Sequence, residues 1–318
     1  MQPALLIANI TKRYTSHLAV DDLSLTVPRG SIYGILGPNG AGKSTTIRMA
    51  MNIIARDSGE VRLLDRDPAV DRQVLRRVGY LPEERGLDRK MRVLDVIAVV
   101  GRIKGMEGRR ARAEGDRWLE RMGMSDWRRA RIETLSKGMQ QKIQFITTVL
   151  HEPELLFRDE PASGLDPVNQ DVLKSTIRGA RDEGRTVIFS THNMGEAEEL
   201  CDAVCIIADG RKVLDGGLRE IKRAHLGNRW RIEFDEPTPE AREIFGGGAE
   251  FEEVVATPHG WEVTLRDGRE PRELMHALGG LERMPTRFER IHPTLHEIFV
   301  QQVGGTAGTA RRRETAHA

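Results

Sequence analysis

An α/β fold built on a mostly parallel, doubly wound sheet, followed by a small α+β unit, is predicted by three features of this sequence. Apolar runs at 32–36, 155–157, 186–190 and 204–207 are separated by helical periodicity, as buried parallel strands and their crossover helices are. The first run feeds Gly37-Pro38-Asn39-Gly40-Ala41-Gly42-Lys43-Ser44, a glycine-rich turn that opens a helix. Beyond Gly227 the periodicity changes to short strand-like segments flanked by helical ones. With 318 residues, the chain has room for one domain of about 200 residues and a smaller second one.

The elements follow in order. Alternating apolar positions over 5–10 and 23–27 predict an N-terminal antiparallel β subdomain ahead of the first buried strand. A helix is expected from Lys43 to Asn52. Residues 93–150 carry helical patterning, interrupted at Gly105-Met106-Glu107-Gly108 and rich in arginine on the outer faces, which predicts a helical subdomain over about 84–150. The main domain is expected over 4–222. An accessory α+β domain is expected over 228–302, with strands near 230–234 and 261–265 and helices near 271–278 and 293–302. The tail over 303–318 is poor in apolar residues and is expected to be disordered, because little burial would offset its ordering entropy.

Composition excludes some function classes. Lys+Arg 49 against Asp+Glu 48 gives a net charge of +1, so there is no global basic footprint and nucleic acid is not the expected partner. The 2 cysteines, Cys201 and Cys205, lie four apart in an apolar helix-to-strand stretch, as in a reduced intracellular protein. The N-terminus lacks a signal pattern, and no window approaches the roughly 18 apolar residues needed to span a bilayer. Any membrane role is therefore expected to run through a partner chain.

Three constellations carry chemistry. Residues Gly37 to Ser44 satisfy G-x-x-x-x-G-K-[ST], followed by Thr45. The glycines let backbone N–H groups wrap phosphates, Lys43 reaches the β- and γ-phosphates and the Ser44 hydroxyl ligates Mg²⁺, so a nucleoside triphosphate with Mg²⁺ is the expected cofactor. Asp159 and Glu160 close the apolar run at 155–157. Side chains alternate along a strand, which makes Asp159 the Mg²⁺ partner and Glu160 the candidate general base. His192 follows the next buried run and is placed to hydrogen-bond the γ-phosphate. Finally, Leu135-Ser136-Lys137-Gly138-Met139-Gln140-Gln141-Lys142 opens a helix, and a helix N-terminus offers unpaired N–H groups and a positive dipole end to a phosphate. The imidazoles of His292 and His296 lack a third ligand nearby in sequence, so they are read as structural.

On these motifs residues 4–222 resemble the ATP-binding cassette subunits of membrane transporters. The resemblance implies an ABC-type nucleotide-binding domain, with Tyr14 as the adenine platform and Ser163-Gly164-Leu165-Asp166 as a loop crossing a dimer interface. It implies that Ser136, Lys137 and Gly138 close on the nucleotide of a second subunit, in a head-to-tail homodimer or with a paired cassette. The implied partner is a transmembrane permease, and the implied location is the cytoplasmic face of the membrane. The signature is a variant, with Lys137 and Met139 in place of the usual glycine and glutamine. Together with Leu81 to Leu87 and the ending at 293–299, it is similar to the ATPases of bacterial two-component exporters linked to sodium or drug efflux. A soluble, non-transport cassette ATPase is the alternative, although the coiled-coil or zinc insertions common in those proteins are not visible.

Two residues depart from the family pattern. Glu83 stands where the family has a glutamine that touches Mg²⁺. A third carboxylate beside Asp159 and Glu160 predicts stronger Mg²⁺ dependence; Glu83→Gln should change the rate of ATP turnover or its Mg²⁺ midpoint, and an unchanged midpoint and rate would refute this. Arg158 stands where an aliphatic residue is usual, in a strand expected to be apolar on both faces. On sequence alone Arg158→Leu is expected to be tolerated or stabilising.

Overall fold

The computed structural model describes residues 2–82, 86–159, 167–236, 239–247 and 250–303. They form two compact units, one made of residues up to Leu218 with Gln302 and Val303, the other of Arg219–Gln301. No described helix is long and apolar enough to cross a membrane.

The first unit opens with β1 (Leu5–Arg13) and β2 (Leu18–Val27), passes through β3 (Ile32–Leu36) and helix α1 (Lys43–Ala50), and returns with β4 (Ser58–Leu63). Strand β1 lies between β2 and β4 in an antiparallel sheet. Strand β5 (Val78–Leu81) then leads to the helical lobe of α2 (Val93–Ile103), α3 (Gly108–Arg121) and α4 (Lys137–Val149). The chain re-enters the main sheet with β6 (Leu155–Arg158), α5 (Pro167–Asp182), β7 (Thr186–Thr191), α6 (Met194–Leu200), β8 (Ala203–Ala208) and β9 (Arg211–Gly217). The main sheet runs β5-β6-β7-β3-β8-β9 and is parallel except for the β8–β9 pair. Every residue of β3, β6 and β7 is buried, which explains why these strands read as continuous apolar runs.

Element boundaries shift where local chemistry overrides periodicity. Helix α1 ends at Ala50, short of Asn52, because Asn52 adopts φ 53, a left-handed conformation that terminates a helix. Strand β2 begins at Leu18, well before Leu23. The Asp21-Asp22 pair breaks the alternation there, and Asp22 has φ 51 where the β1–β2 register shifts.

Behind the start of β5 two basic groups share one carbonyl. Val78 O accepts from Lys104 Nζ at 2.7 Å and from His151 Nε2 at 3.3 Å, while His151 Nδ1 is buried without a partner. Burial, reinforced by the Lys104 charge, pulls the His151 imidazole down to about 4 from 6.5. Between these values the unfolded chain binds the extra proton, so stability rises with pH across the window and is lost as pH falls from 6.5 towards 4. Urea unfolding at pH 7 and pH 5 should show this loss, and His151→Gln should flatten it; an equal pH slope in that variant would refute the assignment.

The second unit contains β10 (Arg229–Glu233), β11 (Phe251–Thr257), β12 (Gly260–Leu265) and β13 (Arg287–Arg290), antiparallel in the order β11-β12-β10-β13. Helices α7 (Pro239–Gly247) and α8 (Pro271–Gly279) contribute Ala241, Phe245, Leu274 and Leu278 to a core with Ile232, Phe251, Val263 and Leu265. Cross-strand ion pairs also tie the sheet together: Glu262 pairs with Arg231 at 2.7 Å and Arg229 at 2.6 Å. A further helical stretch covers 295–303.

Candidate functional site

The carboxyl ends of β3, β6 and β7 lie side by side, with Leu36 paired to Thr191 and Arg158 to Phe189. Residues just beyond these ends therefore converge, as ligand-binding residues do in open α/β sheets. They are Gly37, Asp159 and His192.

The loop from Gly37 to Gly42 depends on glycine at two crowded points. A Cβ on Gly37, at φ 150, would lie 2.1 Å from Ile207 O, and one on Gly42, at φ 101, would lie 2.4 Å from Ala19 O. Strand β8 and strand β2 thus press the loop from two sides, and only glycine fits. The loop leads into α1, where Thr46 N donates to Gly42 O at 2.9 Å. Lys43 is buried and its Nζ donates to Gly37 O at 2.9 Å and Pro38 O at 3.0 Å, which holds the ammonium against the loop.

Asp159 sits beneath the loop and is almost fully buried. Its Oδ1 accepts from Ser44 Oγ at 2.8 Å and from Ser190 Oγ at 2.7 Å. Among the described residues, its buried Oδ2 makes no hydrogen bond. A buried carboxylate oxygen without a donor is costly unless a cation meets it, and a hydroxyl already sits on the other oxygen of the same carboxylate. This all-oxygen set suits a hard divalent cation such as Mg²⁺. Burial, and then the Asp159 charge, push the neighbouring Tyr80 phenol above its ordinary value.

A cleft of about 460 Å³ runs along the loop, walled by Asn39 to Thr45, His17, Ala19 and His192. At its mouth the β1–β2 turn stacks Tyr14 on His17, with ring centroids 5.6 Å apart at 28°. Tyr14 remains 40% exposed, which leaves ring surface for a planar ligand.

The helical lobe carries the remaining phosphate-facing candidates. Ser136 is the N-cap of α4, its Oγ accepting from Met139 N at 3.3 Å. Ser136 and Lys137 are exposed, and a Cβ on Gly138 would meet nothing within 4 Å. None of the three walls the cleft of their own chain. Glu83, Glu160 and Asp166 lie outside the described residues.

Several neighbours carry no sequence signal. Ser190 reads as one more residue of a buried strand, and His17 as part of a polar turn. Arg158 finds its partner on α6: Nη1 lies 3.5 Å from Glu196 Oε1, with side-chain exposures of 3% and 10%. Among the described residues its Nε and Nη1 make no hydrogen bond, and burial pulls the guanidinium down to about 10 against the opposing pull of Glu196. The expected tolerance of Arg158→Leu left open which acidic or carbonyl group pairs with the arginine. Removing it would leave a buried carboxylate behind, so the single variant should destabilise.

A glycine-wrapped loop at a strand end, a lysine held against it and a hydroxyl-linked carboxylate below define a phosphate-loop nucleotide-binding protein. Comparisons with known proteins narrow this class. The family described as "ABC transporter" matches residues 20–163, and "ATP-binding protein DrrA1-3-like, C-terminal domain" matches residues 216–303. The chain is 40% identical over 300 residues to an uncharacterized ABC transporter ATP-binding protein, YhaQ, of Bacillus subtilis (strain 168), covering 94% of this chain and 98% of that protein. It is 31% identical over 318 residues to the daunorubicin/doxorubicin resistance ATP-binding protein DrrA of Streptomyces peucetius, covering 97% and 95% of the two chains. A solved structure of the ATP binding subunit of an ABC transporter superposes with a TM-score of 0.66 at 26% identity, over 70% of this chain and 93% of that one. The chain belongs to the family of ABC transporter ATP-binding proteins, with a DrrA-like C-terminal domain.

Proposed function

We propose that this chain hydrolyses ATP to drive export through a separate transmembrane permease, at the cytoplasmic face of the membrane and as a head-to-tail dimer. One observation carries the reading. The cleft is walled by the phosphate loop, His17, Ala19 and His192, whereas Ser136 and Lys137 stand exposed on the lobe with Gly138 half-buried beside them, and none of the three lines it. A phosphate-facing helix terminus that does not serve its own cleft is placed to serve another.

In this reading Tyr14 stacks on adenine, and the backbone from Gly37 to Thr45, including Pro38, Asn39, Gly40, Ala41 and Gly42, cradles the phosphates. Lys43 neutralises the β- and γ-phosphates. Ser44 and Asp159, joined by Glu83, hold Mg²⁺, which when bound offsets charge on the transferring phosphoryl group. Glu160 takes the proton from the attacking water, and His192 holds the γ-phosphate end of the nucleotide. Ser136, Lys137 and Gly138 close the site from the second subunit, with Asp166 at the interface. The ATPase domain takes residues 4–222 and the accessory domain 228–302, the latter supporting the dimer.

Export is supported by the printed name of a further relative, the Nod factor export ATP-binding protein I of Mesorhizobium japonicum, 33% identical over 259 residues; the Streptomyces relative, named for drug resistance, is similar through the C-terminal domain as well. Isolating the native complex from membranes tests the reading. A co-purifying polytopic membrane protein that raises ATP turnover is expected. Recovery with ribosomes or DNA and no membrane protein would overturn it.

A further inference from the structure

The buried ion pair behind the site joins two strand ends through one side chain. Glu196 Oε1 lies 3.5 Å from Arg158 Nη1, on the residue immediately before Asp159. Its Oε2 accepts from Thr191 Oγ1 at 3.2 Å, on the residue immediately before His192. The same carboxylate therefore reaches both β6 and β7 at the point where each delivers a site residue. The turn between Thr191 and Glu196 is closed on itself as well. Asn193 N donates to Thr191 Oγ1 at 3.0 Å, and Glu196 N donates to Asn193 Oδ1 at 3.1 Å, which caps α6. His192 lies inside that turn, between the Thr191 and Asn193 contacts.

Fold stability alone is a poor account of this pair. A charged pair this deep generally gains little over apolar packing, and here it is only partly satisfied, since among the described residues Arg158 Nε has no hydrogen-bond partner. It does supply a fixed link between two strand ends whose relative placement decides whether Asp159 and His192 face the same phosphate.

We propose that Glu196 and Arg158 are positioning residues, a buried anchor that sets the distance between the strand end bearing Asp159 and the turn bearing His192. The inference rests on the reading that both residues act on bound nucleotide. Neither Glu196 nor Arg158 lines the cleft, so their loss is expected to act on turnover and to leave binding in place.

The test uses the full chain in four variants, Glu196→Ala, Glu196→Gln, Arg158→Leu and Arg158→Leu/Glu196→Ala, each checked for folding by thermal melting. Turnover, nucleotide affinity and amide exchange over 191–196 are measured. Glu196→Ala and Arg158→Leu should each lower kcat by roughly tenfold or more with KM and Kd for MgATP within about twofold. The double variant should be no worse than either single one, as expected when both act through one contact. Glu196→Gln should recover most of the rate, because the amide oxygen still faces Arg158 and its NH₂ can donate to Thr191 Oγ1. Exchange at Asn193 and Glu196 should rise in Glu196→Ala and stay near wild type in Glu196→Gln. A folded Glu196→Ala chain with unchanged kcat, additive losses in the double variant, or a change confined to KM would overturn the proposal. If the wild-type chain shows no ATP turnover, the proposed function fails, and the exchange pattern still decides whether the anchor exists.

Discussion

Lys43→Ala should lower ATP turnover by roughly 10²–10³-fold, the loss expected when a preorganised cation or donor is removed from developing charge in a water-poor site. Its ammonium is buried and held by Gly37 O and Pro38 O, so it is oriented before any phosphate arrives. A positive charge fixed in advance needs no reorganisation during reaction, which is why its loss acts mainly on rate. The fold should tolerate the change. Pro38 is exposed, so water can replace the ammonium as a donor at its carbonyl. Phosphate release and thermal melting measured on the same preparation check this. A folded variant within about threefold of wild-type turnover would remove Lys43 from the chemistry.

Gly138→Arg should abolish turnover while leaving nucleotide binding to the chain's own loop intact. A Cβ at Gly138 meets nothing within 4 Å, and its backbone needs no left-handed conformation, so the substitution strains neither α4 nor its neighbours. Residues 136–138 are absent from the cleft walls, so the added bulk does not intrude on the chain's own nucleotide. What the arginine blocks is the close approach of this helix terminus to a second subunit's phosphate. Equilibrium binding of a fluorescent ATP analogue together with turnover separates the two effects. Loss of binding in the variant would place the signature in its own chain's site.

The parts of this protein that depend on contiguous residues were legible in the sequence. The phosphate loop is eight consecutive residues between a buried strand and a helix, and its geometry follows from glycine and lysine at fixed spacing. The strands β3, β6, β7 and β8 were legible because burial on both faces forces unbroken apolar runs. What escaped depends on distance in sequence. Glu196 lies far along the chain from Arg158, and only the β6–β7 pairing brings α6 over the arginine. Ser190 looks like any small strand residue until the sheet places it beside Asp159. In the second unit, β11 mixes buried, partly buried and exposed positions without clean alternation, and β13 is too short to show a period. Both become strands only because β12 and β10 offer them an edge.

The central claim, that each site is built from two chains, is tested most directly by mixing the Lys43→Ala and Gly138→Arg proteins. Each alone should be inactive. A mixed dimer pairs the intact loop of the Gly138→Arg chain with the intact signature of the Lys43→Ala chain, so one of its two sites is wild type. Random mixing should then restore up to about a quarter of wild-type turnover, provided the two sites work independently. No recovery, with mixed dimers demonstrated by crosslinking, would contradict the account and return the signature helix to its own chain.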